Sequence, residues 1–242
     1  MNALNVVVLG HGDRRLDTVY SGLLAPSFPP DQLDTLADLR EGMESGRAHV
    51  LAAVDADGRP LGTAIAEWYE EAGVVLLAYL AVDASRRSQG IGGRLLEAAL
   101  EDWTDRFRPV MVVAEIERPT STVRRPEWGD PGRRYAFYGR HGARALDLPY
   151  FQPALRPDSE REHGMLLIAL AIDPSVREPG GVAAAPVRRF LEAYFTATEG
   201  AVPRDEEGAA LLRAAARTRT VAAHALPRSL GAVPPAAAEP DR

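Results

Sequence analysis

The 242-residue sequence contains no lysine and no cysteine; all 28 basic residues are Arg. The missing lysine excludes a Schiff-base mechanism, a catalytic lysine base and the lysine-bearing P-loop of nucleotide hydrolases. The missing cysteine excludes disulfides, a thiol nucleophile, iron–sulfur clusters and thiolate zinc sites. Apolar runs are short, none approaching the roughly 18 residues of a membrane span. Met1–Leu9 lacks a basic flank and a long apolar stretch, so it reads as a first strand rather than a secretion signal. A net charge of −6 argues against a nucleic-acid surface. The expectation is a cytoplasmic protein with no membrane or nucleic-acid partner and no metal. An excess of alanine, 40 residues, accompanies the missing lysine. Both fit a codon preference for Ala, Arg, Gly and Pro.

What is present describes a globular chain, 46% hydrophobic and 26% charged, enough to bury a core. Asn5–Leu9 reads as a strand. Helices are expected at Leu16–Leu24 and Asp31–Gly46, parted by the stiff Ala25–Pro30 loop, with Asp31 as the second helix's N-cap. Ala48–Val54 and Pro60–Trp68 form a hairpin about Asp55–Gly58. Asp-Ala-Asp-Gly has the wrong spacing to a distal Glu for a calcium loop. Val74–Val82 is almost wholly apolar, as in a strand buried on both faces. Ile91, Leu95, Ala99 and Trp103 mark one face of the following helix. Strands are expected at Val110–Glu117, Arg144–Leu148 and Met165–Ile172, with a loop over Arg118–Gly132 and a short helix ending at Tyr138. Beyond Asp173, Val187, Phe190, Leu191, Tyr194 and Phe195 repeat at helical spacing, as do Leu211, Leu212 and Ala215. These two helices either cap the main domain or pack against a second subunit. The expected domains are 1–175, a helical extension 176–227 and a disordered tail 228–242.

Arg87-Ser-Gln-Gly-Ile-Gly-Gly93, between the buried strand and the amphipathic helix, is the most informative stretch. Gly90, Gly92 and Gly93 admit a ligand close to the backbone. The first helical amides are unpaired and lie at the positive end of the helix dipole, so a pyrophosphate suits them. Arg86, Arg87 and Arg94 can add charged contacts. A dinucleotide fingerprint fails because Leu95 stands where its third Gly belongs. Gly10-His-Gly12 fails because of Arg15. An ordinary glycine-rich turn is the plain alternative.

With this order of elements, the chain resembles the GCN5-related N-acetyltransferase (GNAT) superfamily over about Asn5 to Ile172. Arg87, Gly90 and Gly92 match its hallmark turn, and Leu80-Ala-Val82 resembles the strand whose backbone pairs with pantetheine. Ala136-Phe-Tyr-Gly-Arg-His-Gly-Ala143 is similar to the family's segment carrying a Tyr general acid, here Tyr138. Two positions depart. Ala143 replaces a usual Phe, and Pro131 replaces an Asn that often touches the cofactor.

The resemblance implies an α/β (α+β) fold: a mixed, mostly antiparallel sheet flanked by helices, with a C-terminal helical extension. It further implies acyl transfer, usually of acetyl, from acetyl-CoA or another acyl-CoA to an amine, here expected to belong to a small molecule. Expected cofactor contacts are Leu80, Ala81, Val82, Arg87, Ser88, Gln89, Gly90, Ile91, Gly92 and Gly93. Tyr138 is the expected acid, with Glu67 and Glu115 as candidate bases. Glu117 shares the Glu115 face of its strand. Each carboxylate could instead face solvent or pair with Arg, and Tyr138 could be a core aromatic. His141 reads as a surface helix residue. Pro26–Pro30, Glu67–Glu71 and Arg118–Gly132 would flank the acceptor. Glu70, Glu71, Glu115 and Glu117 favour a cationic amine, whereas Arg124, Arg125, Arg133 and Arg134 favour an anionic group, so a zwitterionic metabolite is expected. A homodimer through the C-terminal helices, and a non-catalytic acyl-CoA sensor of the same fold, are the remaining expectations.

Overall fold

A computed structural model describes residues 4–119, 128–156, 158–226 and 233. The expected tail, apart from residue 233, and Arg124 and Arg125 lie outside the described residues. The chain divides into two compact units, Met1–Trp68 with Val75–Pro109, and Tyr69–Val74 with Val110–Arg242. Residues on both sides of the expected boundary at 175 contribute to the second.

In the first unit, β1 (Asn5–Leu9), β2 (Ala48–Val54), β3 (Pro60–Tyr69) and β4 (Val74–Val82) lie side by side in that order. The β1·β2 and β2·β3 pairs are antiparallel. Asp55–Gly58 is a turn, as its composition implies: Asp55 Oδ1 accepts from the amides of Asp57 and Arg59, and Gly58 adopts φ +79°. The two faces of β2 bury different partners because its side chains alternate. Val50, Ala52 and Val54 join Leu16, Val19, Leu23, Leu24, Leu33 and Leu39 in one cluster. On the other face, His49 meets α3 (Ile91–Phe107), which buries Ile91, Leu95, Leu96, Ala99 and Trp103.

One helix expectation is refined and one needs correction. The first helix holds α geometry only over α1 (Arg15–Val19), then widens into a π turn at Tyr20–Leu24. The second does not start at Asp31, which lies in a 3-10 turn, Pro30–Gln32. Buried Leu33 is extended, and α2 (Leu36–Glu44) starts after Thr35. Thr35 and Asp38 form a reciprocal capping box that satisfies two terminal donors. The tertiary demand to bury Leu33 outweighs the local capping signal of Asp31.

The second unit contains β5 (Met111–Glu117), α4 (Pro131–Arg140), β6 (Arg144–Leu146), β7 (Met165–Ile172), β8 (Arg177–Glu178), β9 (Gly181–Ala183), α5 (Ala184–Glu199), α6 (Glu206–Ala216) and β10 (Thr220–Ala225). Its strand order is β5-β7-β6-β10-β9-β8, antiparallel at every pair. The extension therefore carries strands as well as the two expected helices, and β10 continues the sheet from β6. Val187, Phe190, Leu191, Tyr194 and Phe195 are buried within the single chain.

Candidate active site

In the first unit, β4 delivers the chain to the glycine turn. Leu80 and Val82 alternate with buried Tyr79 and Ala81, and are themselves half-buried. Asp83 then caps a 3-10 turn, Ala84–Arg86, accepting from the Ser85 amide and hydroxyl at 2.9 and 2.7 Å. Arg87, Ser88, Gln89 and Gly90 are exposed. Ser88 has φ +64°, an uncommon conformation for a residue with a Cβ. Gly90 has φ +79° and no heavy atom within 4 Å of where a Cβ would stand. It starts α3 without a side-chain cap, and the Arg94 amide bonds the Gly90 carbonyl. The Ile91, Gly92 and Gly93 amides precede that first helical bond. Open backbone, helix dipole and exposed guanidinium are together the kind of arrangement that suits an anion. Among the described residues, Arg87 reaches the Val82 carbonyl at 3.3 Å and the Ser27 hydroxyl at 3.5 Å.

The second unit holds Tyr138 on α4. Asp130 caps this helix by accepting from the Gly132 amide at 2.8 Å, and Pro131 is its first residue. A proline needs no amide partner there, so the departure from Asn is accommodated locally. Burial pushes the Tyr138 phenol up, opposed by the charge of Arg134. Arg134 also pairs with Glu117 and donates to the Trp128 carbonyl at 2.8 Å. Glu117, Arg134 and Tyr138 are thus brought together. His141 ends the helix half-buried, its Nδ1 at 2.8 Å from the Phe137 carbonyl.

Glu115 occupies a different environment from the one its strand position suggests. The hydroxyls of Tyr150 and Tyr194 donate to its carboxylate, the latter at 2.9 Å, and Gln152 Nε2 adds a bond of 2.8 Å. Both phenols are buried, at 1% and 2% exposure. Burial and the Glu115 charge push the Tyr150 phenol well above its ordinary range. These donors come from the segment after β6 and from α5, so no local pattern in β5 reveals them. Glu67, at the end of β3, is half-buried and near enough to Tyr79 for its charge to help raise that phenol's pKa, after the larger effects of burial and Asp34.

A polar cleft of about 480 Å³ in the second unit includes Arg161, His163, Glu199 and Glu207 in its walls, and none of the expected site residues. Arg161 there is held by Glu199, Asp205 and Glu207 at 2.6–2.8 Å. Among the described residues, no group of three or more His, Asp or Glu could hold a metal ion. No helix among them is long and apolar enough to cross a membrane.

A sequence profile of the acetyltransferase (GNAT) domain matches residues 46–142. No curated protein matches the chain. Among solved structures, a GNAT-family acetyltransferase from Bacteroides thetaiotaomicron is similar at 25% identity and a TM-score of 0.53, covering 68% of this chain and 85% of that one. A protein named as an acetyltransferase from Acinetobacter baylyi shares the fold at 11% identity and a TM-score of 0.51, covering 74% and 98%. Residues 46–142 therefore match a GNAT acetyltransferase domain, a class whose activity is acyl transfer from acyl-CoA.

Proposed function

We propose that this chain transfers an acetyl or other short acyl group from acyl-CoA to the amine of a small molecule. The observation that carries this reading is the glycine turn, with its open Gly90, its leading amides at Ile91–Gly93 and its exposed Arg87. These residues fit a pyrophosphate, with the amides as donors and Arg87 as a charged clamp. Acyl-CoA, when bound, supplies an acyl group activated as a thioester. Leu80, Ala81 and Val82 offer a backbone edge alongside it, and a β4 amide can stabilise the developing oxyanion.

Proton handling falls to the side chains. An attacking amine must be neutral, and Glu67 is assigned as the base that takes its proton, directly or through water. Glu115 is assigned a structural role, because two buried phenols and the Gln152 amide donate to its carboxylate. Tyr138 is assigned as donor to the departing sulfur. Its raised pKa keeps the phenol protonated at neutral pH and favours a hydrogen bond over full proton release. A small-molecule acceptor and a cytoplasmic setting complete the proposal, the first resting on the mixture of acidic and basic residues in the sequence segments expected to flank the acceptor.

Incubation with acetyl-CoA and a panel of small amines, with free thiol as the readout, tests the reading. Amine-dependent thiol release supports it. CoA binding without release for any amine would leave only a sensor.

A further inference from the structure

We infer that Arg161 is a latch fastening the β6–β7 connection to the α5–α6 corner, and that this latch and the Glu115 cluster are the two ends of one clamp. The connection runs as two limbs, joined where Gln152 and Glu162 exchange backbone bonds of 2.9 and 3.0 Å. Tyr150 and Phe151 on the first limb are buried, but none of the described residues from 154 to 164 is. The outer part therefore has no apolar anchor of its own, and charge takes that place. Arg161 grips both oxygens of Glu199, through Nε at 2.8 Å and Nη2 at 2.6 Å. Such a bidentate pair fixes orientation as well as distance. Its Nη1 reaches Asp205 at 2.8 Å and Glu207 at 2.7 Å. The Ala154 amide donates to Glu199 at 3.1 Å, and His163 Nε2 lies 2.8 Å from Glu207.

The corner needs that cation. Glu199 is the last residue of α5, where the helix dipole disfavours an anion. Asp205 caps α6 by accepting from the Gly208 amide at 2.9 Å, so the latch holds the facing ends of both helices. Without Arg161, the three carboxylates it joins would repel one another.

Two aromatic rings carry the latch to Glu115. The Arg161 guanidinium lies 5.0 Å from the Phe151 ring centroid and 5.6 Å from that of Phe195, and the two rings meet edge-on at 5.7 Å. Phe151 stands between Tyr150 and Gln152 in the chain, and Phe195 follows Tyr194. These neighbours are the three donors to the Glu115 carboxylate. The donors thus belong to the two elements that Arg161 ties together, and the C-terminal extension clamps β5 through the β6–β7 connection.

Arg161→Met removes the charge and keeps an unbranched stem over the rings. Asp205→Asn is the milder variant, since Asn caps a helix about as well as Asp. Two readouts apply to the full chain. Hydrogen exchange at the Ala154 amide should quicken roughly ten- to a hundredfold in Arg161→Met and roughly three- to tenfold in Asp205→Asn. Exchange at the wild-type rate in the variants overturns the latch. Urea unfolding of Arg161→Met, Tyr194→Phe and the double variant then tests the clamp. If the two ends are coupled, the rise in unfolding constant in the double variant falls short of the product of the single rises by about fivefold or more. Agreement with that product within about twofold overturns the coupling. Should Arg161→Met fail to fold, Asp205→Asn takes its place in both measurements, with a shortfall of about threefold expected in the cycle and the same outcomes overturning the inference.

Discussion

Replacing Glu115 tests whether its carboxylate is a structural acceptor or a proton acceptor in the reaction. Glu115→Ala leaves the Tyr150 and Tyr194 hydroxyls and the Gln152 amide without their acceptor, two of the three being buried phenols. A hydrogen bond to a charged group contributes about 1.5–3 kcal/mol net. Three such bonds on one group do not add independently, and water can enter beside a half-buried position, so a loss of about 3–5 kcal/mol is expected. For a chain of this length each kcal/mol lowers Tm by about 2–4 °C, which predicts a fall of roughly 6–20 °C. Glu115→Gln keeps one acceptor oxygen but turns a donor towards the phenols, and should cost about 1–3 kcal/mol. Urea unfolding followed by tryptophan fluorescence gives both values. A double-mutant cycle with Tyr194→Phe should return a coupling of about 1–3 kcal/mol. A Glu115→Gln protein that unfolds at the wild-type midpoint, yet loses thiol release a hundredfold or more, would make Glu115 the base and refute the structural assignment.

Three other outcomes follow from the geometry. Burial holds the His49 imidazole below its ordinary range; Asp102 acts against this and Arg106 adds to it. The unfolded chain then binds that proton more readily, so stability rises with pH up to about 6.5 and is lost as pH falls through the folded value. The slope of the urea midpoint between about pH 5 and 6.5 should flatten in His49→Leu; an unaltered slope would mean His49 does not cause it. Gly181→Ala places a Cβ 2.0 Å from the Val221 carbonyl oxygen, so β9 and β10 must part. A loss of roughly 2–3 kcal/mol in urea unfolding is expected, and a near-neutral effect would contradict the β9·β10 register. Tyr138→Phe should lower kcat roughly ten- to a hundredfold with CoA affinity unchanged. Full activity would remove Tyr138 from proton transfer.

Features governed by neighbours in sequence were the readable ones. The apolar Val74–Val82 run, the Asp55–Gly58 turn and the glycine-to-helix junction at Gly90 each carry their cause within a few residues. Where the cause lies elsewhere in the chain, local reading failed. Asp31 is an acceptable cap by itself, but burial of Leu33 and the Tyr79 bond to Asp34 move the helix start to Thr35. Thr220–Ala225 is alanine-rich and gives little strand signal; β6 and β9 supply its pairing. Two carboxylates on one face of β5 looked equivalent. Arg134 claims Glu117, whereas residues from 150 to 194 claim Glu115. Tyr79 was indistinguishable from core within an apolar strand, because its partners lie 45–47 residues away.

Calorimetric titration with CoA, for the wild-type chain and for Arg87→Ala, bears most directly on the proposed acyl-CoA site. Arg87 is exposed, so its removal should leave the fold intact. The account predicts saturable wild-type binding, weakened roughly tenfold or more in the variant by loss of a charge-assisted phosphate contact. No binding heat at millimolar CoA, or equal affinity in both proteins, would contradict it.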